Sequence, residues 1–547
     1  MIETEVHQRL RAYLRAQGHT QWPHHLTMAR LVARALRVDR SALIQIDSLA
    51  AYQGSHRLSY LIPALLWPEP AVLALPSELL QTVLQQDIPN LQQGLPMIKP
   101  VRTGSQWPED NFKGLLVTSV QDWLRSRLNQ TTLFPNHIPT LIDGASDLER
   151  WARDLLSISL SGQDWETLML AFPGHQDFIR NMRARIVHAI FQHPANPYGC
   201  HLIEEPEQSL LHELHEQLIL HSANGQMPTR WQAFWQQLWQ PDADRLAWSQ
   251  LNRALGSVTL CSGPTDVNQK LAPIWQQQPV VVMGTALDES DKAQRYRDRL
   301  GMGDMTCLRF GPDRRNDLAQ LYLPDRLPMP NTSQFKAAAL HEIRTLLSAQ
   351  GIPNLPTVII IGDVPLKAQF AAVLAAEFGS RVQLEAPVNN QGILVTGWEY
   401  WRSQQSHARD GGASAPLPPG LIIITTLPIP SLENPLVAGR VAAYKQRRQD
   451  WFKAYLLPTA LSELQRAIAP LRFRSSDLTT NLTTNHPETT SNLNPRVLAI
   501  LDNRVNHRSY GTQILEALCP IARSSYLNED WFPKYGETHV PPSHKLK

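Results

Sequence analysis

Cysteine is scarce in this chain. Four residues are spread over 547 positions: Cys200, Cys261, Cys307 and Cys519. None of them forms a C-x-x-C pair, which argues against a disulfide framework, a zinc site or an iron–sulfur cluster built from local spacing. We expect these cysteines to fill the core, and the sequence predicts no metal-binding cluster.

An excess of charge of one sign is also missing, and so are long apolar runs. The formal net charge is only +2, so any nucleic-acid site has to be a local patch. No run approaches the ~20 apolar residues of a membrane span, and the acidic start Met1–Glu5 does not fit a signal peptide. The sequence therefore predicts a cytoplasmic protein with no membrane partner. Its length and its 43% apolar residues fit several folded domains.

The most informative stretch runs from Leu417 to Arg472. Its apolar run Leu421–Ile424 is typical of a strand buried in a parallel sheet, with the polar residues that follow facing a ligand cleft. The stretch continues with LPIPSLENPL and ends with LPTALSELQRAIAPLR. It resembles the C-terminal half of the DinG/XPD-type superfamily 2 DNA helicases, where LPFxxPxDPL precedes LPxAxxxLxQxxGRxIR.

The resemblance covers roughly residues 20–150 and 275–525, and it implies an α/β fold. Two RecA-like parallel-sheet motor domains are expected, with a helical insertion in the first. The implied boundaries are residues 1–149 and 251–310 for domain 1, 150–250 for the arch-like helical insertion, and 311–547 for domain 2. Residues 310–335 are expected to be a linker, 403–416 a mobile polar loop, and 475–494 a disordered insertion.

The family's phosphate loop is degenerate here. Such a loop needs glycines, a Lys and a Ser or Thr for Mg²⁺. Counting back from the helix LSYLIPALL, the matching positions are Gly54, Ser55, His56 and Arg57, with His56 at the Lys position and Arg57 at the hydroxyl position. The alternative interpretation is an ordinary surface loop. ATP and Mg²⁺ are therefore doubtful cofactors, and no iron–sulfur cluster is expected.

Two further catalytic motifs depart from the family. The segment TLIDGASDLE resembles VIIDEAHNLE, which keeps the Mg²⁺-holding acid as Asp143 but has Gly144 where the water-activating Glu belongs. In the last motif Gln465 and Arg472 remain, whereas the arginine-finger position is Ala469. A general base contributes ~10²–10⁴ in rate and an arginine finger ~10³–10⁵.

The resemblance also implies three binding positions. His25 stands where the family has the adenine-reading Gln, Gln81 lies in the strand-gripping segment, and Trp401 matches a Trp of the motif LLGTGSFWEGVD. The stripe Trp231, Trp235 and Trp239 in the insertion is spaced for one helix face and favours a packing seam over a base-stacking platform.

Three functions follow from these patterns. The first is a DinG-like helicase homologue that binds nucleic acid, single-stranded or forked DNA, with weak or lost ATP hydrolysis. The second is a divergent but active ATP-dependent DNA helicase in DNA repair. The third is a non-catalytic scaffold that docks a protein partner through the Trp-rich insertion.

Overall fold

The computed structural model describes most of the chain. The described residues are 1–16, 22–95, 99–131, 133–220, 227–239, 245–312, 319–349, 355–389, 391–408, 418–472, 496–528 and 531. The predicted disordered insertion at 475–494 lies outside these residues, and so does most of the predicted loop at 403–416.

Most of the described strands are short, and half of them are fully buried. In chain order they are β1 (Ala42–Ile46), β2 (Ala71–Leu75), β3 (Val101–Thr103), β4 (Leu115–Ser119), β5 (Thr140–Ile142), β6 (Ile158–Leu160), β7 (Cys200–Leu202), β8 (Arg245–Asn252), β9 (Ser257–Pro264), β10 (Val280–Thr285), β11 (Thr306–Arg309), β12 (Ala319–Tyr322), β13 (Thr357–Ile360), β14 (Val382–Leu384), β15 (Ile393–Thr396), β16 (Leu421–Ile424), β17 (Val497–Ile500) and β18 (Ile521–Ser524).

The described α-helices alternate with these strands. They are α1 (Ile2–Ala16), α2 (His25–Val38), α3 (Ser48–Gln53), α4 (Leu58–Leu66), α5 (Leu80–Thr82), α6 (Ile88–Gly94), α7 (Val120–Leu128), α8 (Leu148–Leu156), α9 (Gly162–Ala171), α10 (Gln176–Gln192), α11 (Glu205–Leu220), α12 (Thr229–Trp239), α13 (Asn268–Gln277), α14 (Gln294–Leu300), α15 (Phe335–Ala349), α16 (Val364–Phe378), α17 (Trp398–Ala408), α18 (Pro435–Gln446), α19 (Leu457–Ala467), α20 (Ala469–Arg472), α21 (Arg504–His507) and α22 (Gly511–Ala517).

Two seven-stranded sheets organise the described residues. The first has the order β11-β1-β10-β5-β2-β4-β3, and the second has the order β14-β15-β13-β16-β17-β12-β18. Neighbours such as β2 and β5, or β13 and β16, run parallel. Runs of four or five apolar residues form these strands because helices cover both faces of a parallel sheet. The predicted α/β fold with two parallel sheets is confirmed.

The contacts divide the chain into two compact units. Unit 1 comprises Met1–Gln45, Arg57–Arg309 and Ile429–Thr459; unit 2 comprises Ile46–His56, Phe310–Pro428 and Ala460–Lys547. Two short segments, Ile46–His56 and Ile429–Thr459, thus belong to a different unit from their neighbours in sequence.

The insertion contains a sheet as well as the predicted helices. Its strands have the antiparallel order β6-β9-β8-β7. Strand β8 spans residue 250, where the sequence placed the end of the insertion. Strands β6 and β7 are three residues long, too short for a clear alternating pattern in the sequence. Buried Trp231 and Phe234 of α12 contribute to the core of this part of unit 1.

Two other sequence expectations need correction. The predicted linker at 310–335 contains β12, which pairs with β17 and β18 inside the second sheet. Helix α17 continues to Ala408 through residues that were expected to form a loop. In the part of the chain that the structure describes, no helix is long and apolar enough to cross a membrane.

Candidate functional site

A short helix occupies the position of the phosphate loop. Strand β1 ends at Ile46, and α3 begins two residues later, at Ser48. Within α3 the backbone N–H of Ala51 donates to the carbonyl of Asp47 at 3.1 Å, and that of Gly54 donates to Ala51 at 3.3 Å. A phosphate loop instead directs successive N–H groups at one anion. These amides are therefore engaged in helical hydrogen bonds.

Asp47 caps this helix. Its carboxylate Oδ1 accepts a hydrogen bond from the N–H of Ala50 at 2.8 Å, and the residue has the extended backbone of an N-cap. A helix N-terminus attracts anions because its N–H groups and its dipole face outward. Here the protein's own carboxylate takes that place.

The residues after α3 are packed inward, and the predicted surface loop is not observed. Gly54 ends α3 in the left-handed conformation, with φ of 71°. The ring of His56 is buried, and its Nδ1 lies 3.2 Å from the carbonyl of Ala50. The hydroxyl of Ser55 donates to the same carbonyl at 3.4 Å. His56 at the Lys position is thus held by the helix before it.

Arg57 and His25 also have partners in unit 1. The Nε of Arg57 lies 3.2 Å from Oδ2 of Asp87 in an ion pair. His25 is buried at the start of α2, where its Nδ1 lies 3.1 Å from the hydroxyl of Ser59 and its ring meets Trp22 edge-on. Both side chains contribute to packing around α4.

Asp143 lies at the carboxyl end of β5, as predicted for the acid of this motif. It is buried, and its Oδ2 accepts a hydrogen bond from the Tyr60 hydroxyl at 3.0 Å. Its Oδ1 accepts from the N–H of Gly144 at 2.7 Å. Burial, together with the charge of Asp143, raises the pKa of Tyr60 well above its ordinary value. Tyr60 therefore remains a neutral donor to this carboxylate.

Gly144 leaves no room for a side chain. Its backbone is left-handed, with φ of 80°, and a Cβ built there would lie 2.5 Å from Cγ of Pro76 and 3.2 Å from the ring of Trp151. The next polar side chain, Ser146, is directed to β10, where its hydroxyl donates to the carbonyl of Thr285 at 2.7 Å. A Glu that activates water does not fit at position 144 in this backbone.

The remnants of the last motif lie in unit 2. Arg472 is buried in α20, and its guanidinium donates to the carbonyl of Leu518. Gln465 is half-buried on α19. Helix α20 packs against α3, the helix next to the predicted phosphate-loop residues. The structure thus brings the phosphate-loop segment and the Arg472 helix together.

The two predicted nucleic-acid residues differ in exposure. Gln81 is exposed on α5. Trp401 is buried, and its indole N–H donates to the carbonyl of Ala467 at 3.0 Å. Trp401 thus connects α17 to α19 inside unit 2.

Sequence reasoning missed an ion pair beside Trp401. Both carboxylate oxygens of buried Glu463 accept from Arg402, the shortest contact being 2.6 Å, and Arg466 lies 3.0 Å from the same carboxylate. The signal that could have revealed it is the charge reversal at position 402, where the family has Glu. A cation there needs an acid nearby, and α19 supplies it.

The Trp stripe of the insertion is a packing seam. Trp231 and Trp235 are buried, and Trp235 stacks on Trp239 with 6.1 Å between ring centroids. The ring of His215 lies 4.8 Å from Trp235. Among the described residues no group of three His, Cys, Asp or Glu side chains could hold a metal ion. Of the four cysteines, Cys200 and Cys261 are buried as expected, whereas Cys519 is exposed.

Comparison with known proteins shows the fold. No family model matches the chain, and no curated protein matches its sequence. The solved structure of S. tokodaii Xpd4 is similar with a TM-score of 0.53 at 11% identity, covering 92% of this chain and 100% of that one. An XPD helicase structure is similar with a TM-score of 0.58 at 8% identity, with the same coverage. The chain therefore has a helicase-like fold with two RecA-like sheets.

Proposed function

We propose that this chain is a DinG-like helicase homologue that binds single-stranded nucleic acid and does not turn over ATP. The helicase-like fold supports nucleic-acid binding. The observation that carries the loss of turnover is that the N–H groups of Ala51 and Gly54, in the segment matched to the phosphate loop, are used in helical hydrogen bonds.

A phosphate close to Asp47 would meet a like charge. Two unit charges 4 Å apart repel by about 4 kcal/mol at an effective dielectric constant of 20, which is about a thousandfold in affinity. A phosphate at the N-terminus of α3 would meet this repulsion from Asp47. It would also have to displace the hydrogen bond to Ala50.

The catalytic groups support the same conclusion. Gly144 replaces the water-activating Glu in a backbone that has no space for one. Ala469 replaces the arginine finger, and the nearby Arg472 donates to a backbone carbonyl. Each replaced group is worth a factor of 10² or more in rate. A divergent but active helicase would need other groups to replace both.

The test is ATP hydrolysis by the purified full chain, with and without a 20-nucleotide oligo-dT. Asp143→Ala serves as the control for contaminating ATPases. We expect no hydrolysis above this control, together with oligo-dT binding that weakens as salt rises. DNA-stimulated hydrolysis that Asp143→Ala abolishes would establish the active helicase instead. Absence of oligo-dT binding would refute the nucleic-acid part of the proposal and favour the scaffold.

A further inference from the structure

The segment Ile429–Thr459 carries an unusual concentration of positive charge. Between residues 439 and 455 there are five cations and a single acid, in a chain whose net charge is +2. Three of the cations are exposed: Lys445 at the end of α18, Arg448 in the turn that follows, and Lys453 in the next helical segment, where it lies 3.7 Å from Asp450. We call these three residues the basic turn.

One of the other two cations anchors this segment to the rest of unit 1, and the other joins two parts of the segment. Arg447 forms an ion pair with Asp266 after β9, and it also reaches the hydroxyl of Thr265 at 3.3 Å. Arg440 donates to the Tyr455 hydroxyl at 3.3 Å. The basic turn is therefore held in place by contacts that leave its own side chains exposed.

Helix α18 packs closely against the insertion. The helix lies on β7 and β8 of the insertion. A Cβ at Gly439 would come within 2.6 Å of Leu246, so the helix contacts the sheet closely at this point. Val437 and Val441 are buried on the same helix. Lys445 lies one turn after Val441 and is exposed because it stands at the end of the helix.

Arg448 adopts a backbone conformation that favours glycine. Its φ is 55°, and it follows the last residues of α18, where the N–H of Gln449 donates to the carbonyl of Tyr444 at 2.9 Å. Helices commonly end with Gly at such a left-handed position, because a Cβ is strained there. In the described part of the chain, the exposed side chain of Arg448 has no hydrogen bond or ion pair that would offset this conformational cost. Such outliers cluster at functional positions.

An aromatic ring lies among these cations. Trp451 is half-buried because it packs against the cluster of Val437, Val441 and Leu456, and Nζ of Lys445 lies over its ring, 5.6 Å from the centroid. Single-stranded nucleic acid is bound by a combination of two features. Cations contact its phosphate backbone, and an aromatic ring beside them stacks on a base. Insertion into a membrane would instead require exposed apolar side chains, and none of the large exposed apolar residues of the described chain lies between 439 and 455.

We propose that the basic turn is a phosphate-binding site for single-stranded nucleic acid, with Trp451 as the ring on which a base stacks. This inference rests on the proposed function, because it identifies where the nucleic acid is held. It does not depend on ATP.

The test uses a fluorescein-labelled 20-nucleotide oligo-dT and the full chain, titrated at several salt concentrations. Each phosphate contact with a single strand contributes about 0.7 to the slope of log K against log salt. The variant Lys445→Ser/Arg448→Gly/Lys453→Ser should lower the magnitude of this slope by about 2. Arg448→Gly alone should lower it by about 0.7 and leave the denaturation midpoint equal or higher, since glycine suits the conformation.

A matched control removes the same charge elsewhere in unit 1. Lys113, Lys270 and Lys292 are exposed and lie far from the basic turn in sequence. Their replacement by Ser should leave the slope unchanged. Trp451→Leu should weaken binding about tenfold with the same slope, because stacking does not involve salt.

The outcomes separate the inference from the proposed function. Binding by the wild type that the triple variant loses, but the control variant keeps, supports both. Equal slopes for the wild type and the triple variant would overturn the site and leave nucleic-acid binding intact. No binding by the wild type would overturn both. Basic-turn variants that lose binding to phosphatidylserine vesicles but keep oligo-dT binding would identify the turn as a lipid site and overturn the proposal.

Discussion

The carboxylate of Asp47 accepts a hydrogen bond from the backbone N–H of Ala50, 2.8 Å away, at the first turn of α3. In a phosphate-binding loop the corresponding N–H groups face the nucleotide. The chain thus places its own carboxylate just before the segment that the sequence matches to the phosphate loop. Under the proposed function, nucleotide chemistry is lost through this helix as well as through the missing catalytic residues.

Removal of the Asp47 cap should destabilise the fold. Asp47→Ala leaves the first turn of α3 without its acceptor, and such a loss costs about 1 kcal/mol in the free energy of unfolding. Asp47→Asn keeps an acceptor of the same shape, so its free energy of unfolding should stay within about a few tenths of a kcal/mol of the wild-type value. Urea denaturation followed by circular dichroism measures both. Equal stability of the Ala variant would show that the cap is unimportant.

Placing the family's Glu at position 144 should destabilise the fold and should not restore ATP hydrolysis. Gly144→Glu introduces a side chain at a positive φ and a Cβ that overlaps Pro76, so we expect a loss of about 2 kcal/mol or more in stability. ATP hydrolysis should remain at background. Gly174→Ala is the matched control, because a Cβ there meets nothing within 4 Å. A stable, hydrolysing Gly144→Glu variant would contradict this account.

Glu149 should make stability depend on pH in the acid range. Burial disfavours its ionisation, but Arg299 and Arg153 outweigh burial and lower the pKa of Glu149 to about 2. The folded pKa is below the unfolded value of 4.5, so the contribution is present above pH 4.5 and is lost as pH falls towards 2.

Glu149→Gln tests this dependence. At pH 7 the variant should be less stable by about 3 kcal/mol, and the difference from the wild type should shrink between pH 4.5 and pH 2. Denaturation midpoints across this range measure the effect. A constant difference at all pH values would mean that the charge of Glu149 is not what stabilises the fold.

Substitutions of Arg402 and Glu463 should have coupled effects on the free energy of unfolding. Glu463→Ala leaves two cations without their carboxylate and should cost about 3 kcal/mol. Arg402→Met should cost less, because Arg402 is partly exposed and Arg466 still pairs with Glu463. A double-mutant cycle on the free energy of unfolding should give a coupling of about 1 kcal/mol or more. Additive losses would rule the coupling out.

The sequence predicted the sheets better than the site. Strands such as β2 and β16 are recognisable because consecutive apolar residues are typical of strands buried on both faces. Helix α3 was missed, although Asp47 before it and Gly54 after it are ordinary helix start and stop signals. The gap-free match to a phosphate loop hid them. The contacts of Glu463 and Arg447 could not be predicted, since they join residues far apart in sequence.

Calorimetric titration of the full chain with Mg²⁺ and a non-hydrolysable ATP analogue tests the central claim most directly. If α3 and its Asp47 cap occupy the place of the phosphate loop, we predict no binding with a Kd below about 1 mM. Micromolar binding that Asp143→Asn weakens would contradict the account, because the nucleotide and its Mg²⁺ would then be held by the motifs that the account treats as lost.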